Sequence, residues 1–400
     1  MLANRALNTD TICHDGQGYG TIAPMTNSRP HAAMPTPTHD EAAHERFCQN
    51  LAVKLESRFR PQLRTLYEDR VRPHLKASDE SPRVIAKAMR RFDQTRQWYR
   101  LRTDNQDRMY AVSGAIIDRQ LESLAARAKS LSGALGSLSL DPTIKIPNYL
   151  ADQDIHRKPG GYHTERTTDD VAAGAEYDRT ITVHNMGSQG ANNDDPGISL
   201  AAEIKRRFPA LKPRRILDLG CTIGNNTLPF ATAFPEAEVH GIDCSAPCLR
   251  YAHARANALG VGAHFHQMNA EATTFEESSF DLVVSRILLH ETSRAALPRI
   301  FRECHRLLSP GGVMLHCDAP QFDEMDAYQA SLRDWDATCN NEPFMLTVYA
   351  LPLESLYAEA GFDKAQTFRG YAASQYFQRH HPDPNATRSG GKYFFTGAVR

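Results

Sequence analysis

Two acidic residues and a glycine-rich segment lie at the ends of two short apolar runs. Asp218 stands near the end of the run that leads into Gly220 and Gly224, and Asp243 ends the next run along the chain. Glycines at such a turn let the backbone approach a ligand closely. A carboxylate at Asp218 would repel the pyrophosphate of a dinucleotide but suits a ligand with ammonium and sulfonium charges. A carboxylate at Asp243 can accept hydrogen bonds from both hydroxyls of a ribose.

Such a site needs a sheet whose strands end at one edge. From residue 214 onward, short apolar runs alternate with helical patterns, which is typical of parallel strands joined by crossover helices. Ligands bind doubly wound sheets beyond the carboxyl ends of the strands, where the residues after each run meet. The sequence therefore predicts an α/β fold. Strands are predicted at residues 215–219, 238–242, 264–268, 280–285, 313–317, 365–368 and 393–398, and helices at 246–259 and 294–308.

The residues after these strands resemble a known family. The segment from Ile216 to Gly224, followed by Asp243 and by Asn269-Ala270, resembles the class I S-adenosylmethionine-dependent methyltransferases. Within them it is similar to the small-molecule type that includes the ubiquinone and menaquinone C-methyltransferases, over about residues 211–319. The resemblance implies a Rossmann-like, doubly wound, mostly parallel sheet and S-adenosyl-L-methionine as the cofactor.

The resemblance also implies roles for individual residues. The loop from Asp218 to Gly224 would hold the methionine end of the cofactor, Asp243 the ribose, and Asn269 the edge of the adenine. Two positions depart from the family pattern: Thr222 replaces the usual middle glycine, and Asn269 replaces an acid but keeps a side-chain acceptor. The predicted cofactor-binding residues are Asp218, Gly220, Cys221, Thr222, Gly224, Asp243, Cys244, Asn269, Ala270 and Ser285.

Two histidines are candidates for a catalytic base. A sulfonium methyl group is already activated, so the protein must chiefly align the reacting atoms, and no metal is predicted. A hydroxyl acceptor would also need a base, whereas a thioether would need none. His290, shortly after the fourth strand, is the first candidate, and His163 is the second. Because the chain has 17 histidines, a structural role stays open for both.

Aromatic residues outside the common core are candidates for a substrate pocket. Tyr162 and Tyr177 lie in a segment rich in turn residues ahead of the sheet, which we interpret as a lid. Tyr328 and Trp335 lie in an insertion at about residues 321–353. Ordinary packing is the alternative for each of them.

The chain divides into four stretches. Residues 1–40 lack periodicity and are expected to be a disordered tail, and residues 41–140 show helical spacing of apolar residues. Residues 141–210 are expected to form a connector or lid with short helices, and residues 211–400 the cofactor-binding domain. The apolar stripes of the helical region need a partner, which predicts either a homodimer through these helices or coverage by the sheet domain.

Composition excludes several classes of protein. A formal net charge of -1 gives no overall basic excess for binding nucleic acid, so no nucleic-acid partner is expected. The sequence shows neither the roughly 18 apolar residues of a membrane span nor a targeting segment, which predicts a cytoplasmic protein. The eight cysteines form no CxxC pair and are expected to be reduced thiols, with a metal site at Cys244 and Cys248 as an alternative.

The sequence therefore favours a methyltransferase that acts on O, C or S of a small organic acceptor, in specialised metabolism. The alternatives are methylation of a protein or RNA, and a nicotinamide-dependent enzyme. A further alternative, of another class, is a non-catalytic cofactor-binding or scaffold protein with the N-terminal helices as its interaction module.

Overall fold

A mostly parallel sheet organises the C-terminal half of the chain. The computed structural model describes residues 31–76, 81–380 and 391–400. Within that part of the chain the sheet has eight strands in the order β1-β4-β3-β2-β5-β6-β8-β7, of which β8 pairs antiparallel with β6 and β7. The strands are β1 Ser137–Ser139, β2 Arg215–Leu219, β3 Glu238–Asp243, β4 His264–Gln267, β5 Phe280–Arg286, β6 Leu308–Cys317, β7 Thr367–Ala373 and β8 Lys392–Val399.

Helices cover both faces of the sheet. The helices are α1 His39–Lys54, α2 Arg60–Arg70, α3 Pro82–Met89, α4 Asp93–Asp118, α5 Leu121–Leu131, α6 Asn148–Ala151, α7 Ala172–His184, α8 Asp195–Arg207, α9 Thr227–Ala233, α10 Ala246–Ala258, α11 Leu297–Leu307, α12 Ala327–Ser331, α13 Arg333–Cys339, α14 Met345–Val348, α15 Leu353–Ala360 and α16 Gln375–His380. Side-chain caps fix several helix starts; the hydroxyl of Ser245, for example, accepts from the backbone of Cys248 at the start of α10.

The central strands are apolar on both faces because both faces are buried. Leu217 of β2 and Val283 of β5 pack with α11 and α15 on one face. Ile216 and Leu282 pack with α8 and α9 on the other face. The predicted α/β class, with a doubly wound sheet preceded by helices, is confirmed.

The N-terminal helices pack against the insertion of residues 321–353. Tyr328 stacks on Tyr67 of α2 with ring centroids 4.9 Å apart. Trp335 is 1% exposed and its Nε1 donates to the carbonyl of Tyr99 in α4. The insertion thus covers part of the apolar surface of the N-terminal helices, while Phe47 and Val84 remain exposed, and the homodimer stays a prediction.

Some boundaries differ from those predicted. Residues 1–30 of the predicted tail lie outside the described residues, whereas His31, Ala33 and Pro35 within it are buried. In this segment Nε2 of His31 lies 2.8 Å from Oδ2 of Asp178, and both side chains are buried. The short edge strand β1, of sequence Ser-Leu-Ser, was missed because it has too few apolar residues to show a pattern. The division into separate domains at residues 140 and 210 stays a prediction.

No helix among the described residues is long and apolar enough to cross a membrane.

Candidate active site

The loop after β2 has an unusual backbone. Gly220 and Gly224 have φ angles of 66° and 73°, and Thr222 between them has a φ angle of 48°. A left-handed conformation costs a residue with a Cβ roughly 1–2 kcal/mol. The backbone N–H of Thr222 donates to Oδ2 of Asp243 at 3.0 Å, which helps to hold that conformation. Replacement of the usual glycine by Thr222 therefore leaves the turn intact.

The loop and the end of β3 are joined through the Asp243 carboxylate. Its second oxygen, Oδ1, accepts from the backbone N–H of Ser245 at 2.9 Å. Burial raises the pKa of Asp243, and the backbone donors of Ser245 and Thr222 act in the opposite direction. The half-buried carboxylate is thus fixed at the mouth of the loop with lone pairs available to a ligand.

A first cavity of about 180 Å³ opens beyond the carboxyl ends of β2, β3, β4 and β5. Its wall is largely apolar and includes Ile242, Met268, Leu288 and Ile300. The residues that the sequence predicted and that line this cavity are Gly220, Thr222, Asp243, Cys244, Asn269, Ala270, Tyr162 and Tyr177.

Four of the predicted cofactor-binding residues lie behind this wall instead. The Asp218 carboxylate accepts from Nδ2 of Asn226 at 2.8 Å and from Oγ1 of Thr227 at 2.6 Å, and burial raises its pKa to about 7. Ser285 is fully buried, with Oγ 2.6 Å from Nδ1 of His316. Gly224 lies against the ring of Phe265, and Cys221 belongs to the same buried apolar cluster as Phe265. Asp218, Cys221, Gly224 and Ser285 therefore line neither this cavity nor the one beside it, and their cofactor-binding role stays a prediction.

A second cavity of about 390 Å³ adjoins the first. It lies among α4, α7, the segment after β6, the insertion and the start of β8. The two cavities share the wall residues His156, Tyr162, Tyr177, Arg286 and Ile287. The predicted lid segment therefore supplies residues to both cavities.

The structure places the two candidate histidines differently. His290 is 5% exposed and lines the second cavity. His163 is half-buried and lines neither of these two cavities, because its ring packs beside Gly161. Of the two candidates, only His290 therefore lies at the wall of one of these cavities, and a catalytic role for either histidine stays a prediction.

His290 is held by a buried carboxylate. Its Nδ1 lies 2.6 Å from Oδ1 of Asp318, which also accepts from the Tyr349 hydroxyl at 3.1 Å. Burial lowers the pKa of His290, but the charges and hydrogen bonds of Asp318 and Glu291 together raise it more, so that the net pKa is well above its usual value. This environment favours the protonated imidazole, whereas the predicted base would have to be neutral.

The predicted pocket residues of the insertion lie elsewhere. Tyr328 and Trp335 belong to the core shared with the N-terminal helices and line neither the first nor the second cavity. Trp335 instead lines a third cavity of about 380 Å³, which shares Arg102 and Asp336 with the second, and a pocket role for the two aromatic residues stays a prediction.

Sequence reasoning missed His156 and Glu342, which lie beside Glu291. Nε2 of His156 is 3.1 Å from Oε1 of Glu291 and 3.6 Å from Oε1 of Glu342. His156 and Arg157 both have positive φ angles, of 59° and 61°. Such consecutive strained residues are concentrated at functional sites, but this signal exists only in the backbone and not in the sequence.

Comparisons with known proteins agree on the strand-rich half of the chain. Residues 216–312 match the family model described as a methyltransferase domain. The chain is 39% identical to trans-aconitate 2-methyltransferase from Methylobacterium radiotolerans over 117 residues, which are 28% of this chain and 41% of that relative. It is 33% identical to demethylmenaquinone methyltransferase from Thermus thermophilus over 129 residues, 31% of this chain and 58% of that relative.

Two further similarities are more distant. The tRNA N(3)-methylcytidine methyltransferase Mettl2 of Drosophila melanogaster is 29% identical over 140 residues, 34% of this chain and 42% of that relative. A solved structure of phosphoethanolamine N-methyltransferase 2 from Haemonchus contortus is 20% identical with a TM-score of 0.36, covering 50% of this chain and 52% of that one. The chain thus spans about two fifths of the length of the trans-aconitate and tRNA methyltransferases that it matches.

Proposed function

We propose that this chain, whose residues 216–312 form a class I S-adenosylmethionine-dependent methyltransferase domain, transfers a methyl group to a small organic acceptor. The acceptor binds in the second cavity and presents an O, C or S atom to the first. A place for the reaction in specialised metabolism belongs to the same proposal.

The observation that carries this proposal is the shared wall between the two cavities. His156, Tyr162, Tyr177, Arg286 and Ile287 border both, so a methyl group at the edge of one cavity faces the other. Methyl transfer needs the nucleophile, the methyl carbon and the sulfur in line, and this alignment is what two adjoining cavities provide.

The donor set of the first cavity fits S-adenosylmethionine. The fixed Asp243 carboxylate at the end of β3 can accept hydrogen bonds from ribose hydroxyls, and Asn269 at the end of β4 can accept one from the adenine amino group. Ile242 and Met268 supply apolar surface for the flat base. When bound, this cofactor supplies a methyl group that is already activated by the sulfonium charge.

The size of the second cavity supports a small acceptor. Its volume of about 390 Å³ falls within the roughly 300–1,000 Å³ of small-molecule sites. Arg286, at the shared wall, donates through Nη2 to Oε1 of Gln189 at 2.9 Å. Its guanidinium supplies positive charge to both cavities, which favours an acceptor with a carboxylate or another acidic group near the methylated atom.

The first test is calorimetric titration with S-adenosylmethionine. We expect micromolar binding by the parent chain, and Asp243→Asn should weaken it about 10- to 100-fold, because hydrogen bonds to the charged carboxylate are lost. Asp40→Asn is the matched control, since Asp40 has a 99% exposed side chain and should bind like the parent. A folded parent chain that binds no S-adenosylmethionine would contradict the proposal.

The second test identifies the acceptor class. Release of S-adenosylhomocysteine is followed with a panel of small organic acids, phenols and thiols, and with bulk RNA as a separate arm. Turnover with a small acid or phenol supports the proposal. Methylation of RNA alone would instead establish the alternative of an RNA methyltransferase.

A further inference from the structure

Four metal-ligating side chains converge at the wall between the two cavities. His156, Glu291 and Glu342 offer atoms that all lie within 4.8 Å of one another. His290 adds its Nε2, which lies 3.5 Å from Oε1 of Glu291 and 3.8 Å from Oε2 of Glu342. These residues come from three segments that are distant in the sequence, so the cluster is a product of the fold.

Four of the separations in this cluster are close to those around a tetrahedral ion, and they involve both carboxylate oxygens of Glu342. The four measured nitrogen–oxygen distances between the histidines and the glutamates run from 3.1 to 3.8 Å. Ligand atoms bonded to a tetrahedral ion at about 2.0–2.2 Å lie about 3.3–3.6 Å apart. His156, Glu291 and Glu342 are therefore close enough together to share one ion, and Nε2 of His290 lies beside both glutamates as a fourth ligand.

Both histidines are oriented through their other ring nitrogen. Nδ1 of His290 is bonded to Asp318 at 2.6 Å, and Nδ1 of His156 lies 2.7 Å from the Tyr162 hydroxyl. Ligating histidines in metalloproteins are held in this way, with the second nitrogen donating to a carboxylate or another acceptor. In each case Nε2 is left to face the glutamates.

One carboxylate oxygen of the cluster is buried without a hydrogen bond. Glu342 is 5% exposed, and its Oε1 accepts from Nδ2 of Asn340 at 2.6 Å. Its Oε2 has no hydrogen-bond partner among the described residues, although it points toward His290. A buried carboxylate oxygen without a partner is costly, and a bound cation removes that cost.

We propose that His156, His290, Glu291 and Glu342 bind one divalent transition-metal ion of the first row, such as Zn²⁺. Two imidazoles and two carboxylates suit zinc and its neighbours better than Mg²⁺ or Ca²⁺, which prefer oxygen ligands alone. His156 and Glu291 line the first cavity, and His156, His290 and Glu342 line the second, so the ion has a route in from either side.

The site also deepens the proposed function, on which this step rests. An ion at the shared wall that expands to a fifth ligand would bind an oxygen-bearing acceptor next to the methyl group and lower the pKa of its hydroxyl. His290, bound to the ion as a neutral imidazole, then need not serve as the base. The metal-binding site itself is independent of this step and is tested without cofactor or acceptor.

The experiment is titration of the chelator-treated, full-length chain with Co²⁺ alone, followed by displacement with Zn²⁺. We expect one equivalent of Co²⁺ with the visible absorption of a four-coordinate nitrogen and oxygen site, and no thiolate charge-transfer band. Glu342→Gln and His156→Gln should each abolish stoichiometric binding. Asp318→Asn, which removes the charge that holds His290, should weaken Zn²⁺ binding about 10- to 100-fold.

A surface histidine provides the matched control. Nε2 of His264 lies 3.8 Å from Oε1 of Glu238, and its side chain is 34% exposed. His264→Gln should leave the stoichiometry and affinity unchanged. Loss of binding in His264→Gln, retention in a folded Glu342→Gln, or no binding by the folded parent chain would each overturn the proposal. Thermal unfolding of every variant separates misfolding from loss of a ligand, and S-adenosylmethionine titration of the same samples tests the proposed function separately.

Discussion

Nδ1 of His290 lies 2.6 Å from Oδ1 of Asp318, and the two side chains are only 5% and 2% exposed. The other carboxylate oxygen of Asp318 accepts from the backbone N–H of Leu289 at 3.0 Å. A single residue at the end of β6 therefore fixes both the turn after β5 and the orientation of the imidazole. This pairing connects two neighbouring strand ends at the floor of the second cavity.

Asp318→Asn removes the charge that faces the buried imidazole. We expect the free energy of unfolding to fall by roughly 3 kcal/mol, because one partner of a buried ion pair is left without the other. Urea denaturation at neutral pH measures the change. Tyr349→Phe, which deletes one donor to the same carboxylate, should cost only about 1 kcal/mol. Equal losses in the two variants would argue against a dominant His290–Asp318 pair.

Gly220→Ala tests the close approach in the loop after β2. A Cβ at Gly220 would stand 2.9 Å from Cδ1 of Leu288, which lines the first cavity, and the residue has a φ angle of 66°. We expect a loss of about 1 kcal/mol in stability from the backbone alone, and weaker S-adenosylmethionine binding, by about tenfold, from displacement of Leu288.

Gly260→Ala is the control for that substitution. Gly260 has a φ angle of 71°, but nothing lies within 4 Å of its added Cβ. It should show the same backbone penalty in thermal unfolding and unchanged S-adenosylmethionine affinity. If both variants bind the cofactor like the parent, contact through Leu288 does not shape the cavity.

The cofactor-binding half was predictable because its signals are local. A glycine-rich turn after an apolar run shows where the backbone bends. An acidic residue after the next run shows where a carboxylate lies. Gly220, Thr222, Asp243 and Asn269 accordingly lie at the cavity wall. Asp218 is different. Whether its carboxylate contacts a ligand or caps the turn depends on the positions of the Asn226 and Thr227 side chains.

The wall between the cavities was not predictable for the opposite reason. His156, Glu291 and Glu342 are brought together by the packing of the connector and the insertion around the sheet, and no short spacing in the sequence records that approach. The aromatic residues of the insertion could not be assigned to packing or to a pocket from the sequence, since burial against helices and burial against a ligand favour the same residue types.

His316 makes stability dependent on pH. It is fully buried, with Nδ1 2.6 Å from Oγ of Ser285, and burial lowers its pKa to about 4. Its pKa in an unfolded chain is about 6.5, so between these values the unfolded state binds more protons. The free energy of unfolding should therefore be highest above about pH 6.5 and fall toward pH 4, by up to about 1.4 kcal/mol per pH unit from this residue.

His316→Gln should flatten that dependence in urea denaturation across this pH range. The slope should fall by about one proton. It should not vanish, because burial also lowers the pKa of His184 and of His240 to about 4. An unchanged slope in His316→Gln would show that the residue does not titrate as a neutral buried imidazole.

Tyr162→Phe tests the shared wall. The Tyr162 hydroxyl lies 2.7 Å from Nδ1 of His156 and 3.3 Å from the hydroxyl of Tyr110. Its removal frees the His156 ring while the aromatic surface remains. We expect kcat/KM for the acceptor to fall about tenfold, with the dissociation constant for S-adenosylmethionine little changed. Tyr371→Phe is the control, since Tyr371 is 42% exposed and outside both cavities.

Trp335→Ala distinguishes a packing role from a pocket role for the insertion. Trp335 is 1% exposed and donates to the carbonyl of Tyr99. The guanidinium carbon of Arg102 lies 3.7 Å from the centroid of the Trp335 ring. Truncation of a buried tryptophan should lower the free energy of unfolding by about 3–5 kcal/mol. Because the residue lies among the N-terminal helices, the folded variant should bind S-adenosylmethionine as the parent does. If the variant keeps the stability of the parent but loses acceptor turnover, Trp335 instead has the role in the substrate pocket that the sequence suggested.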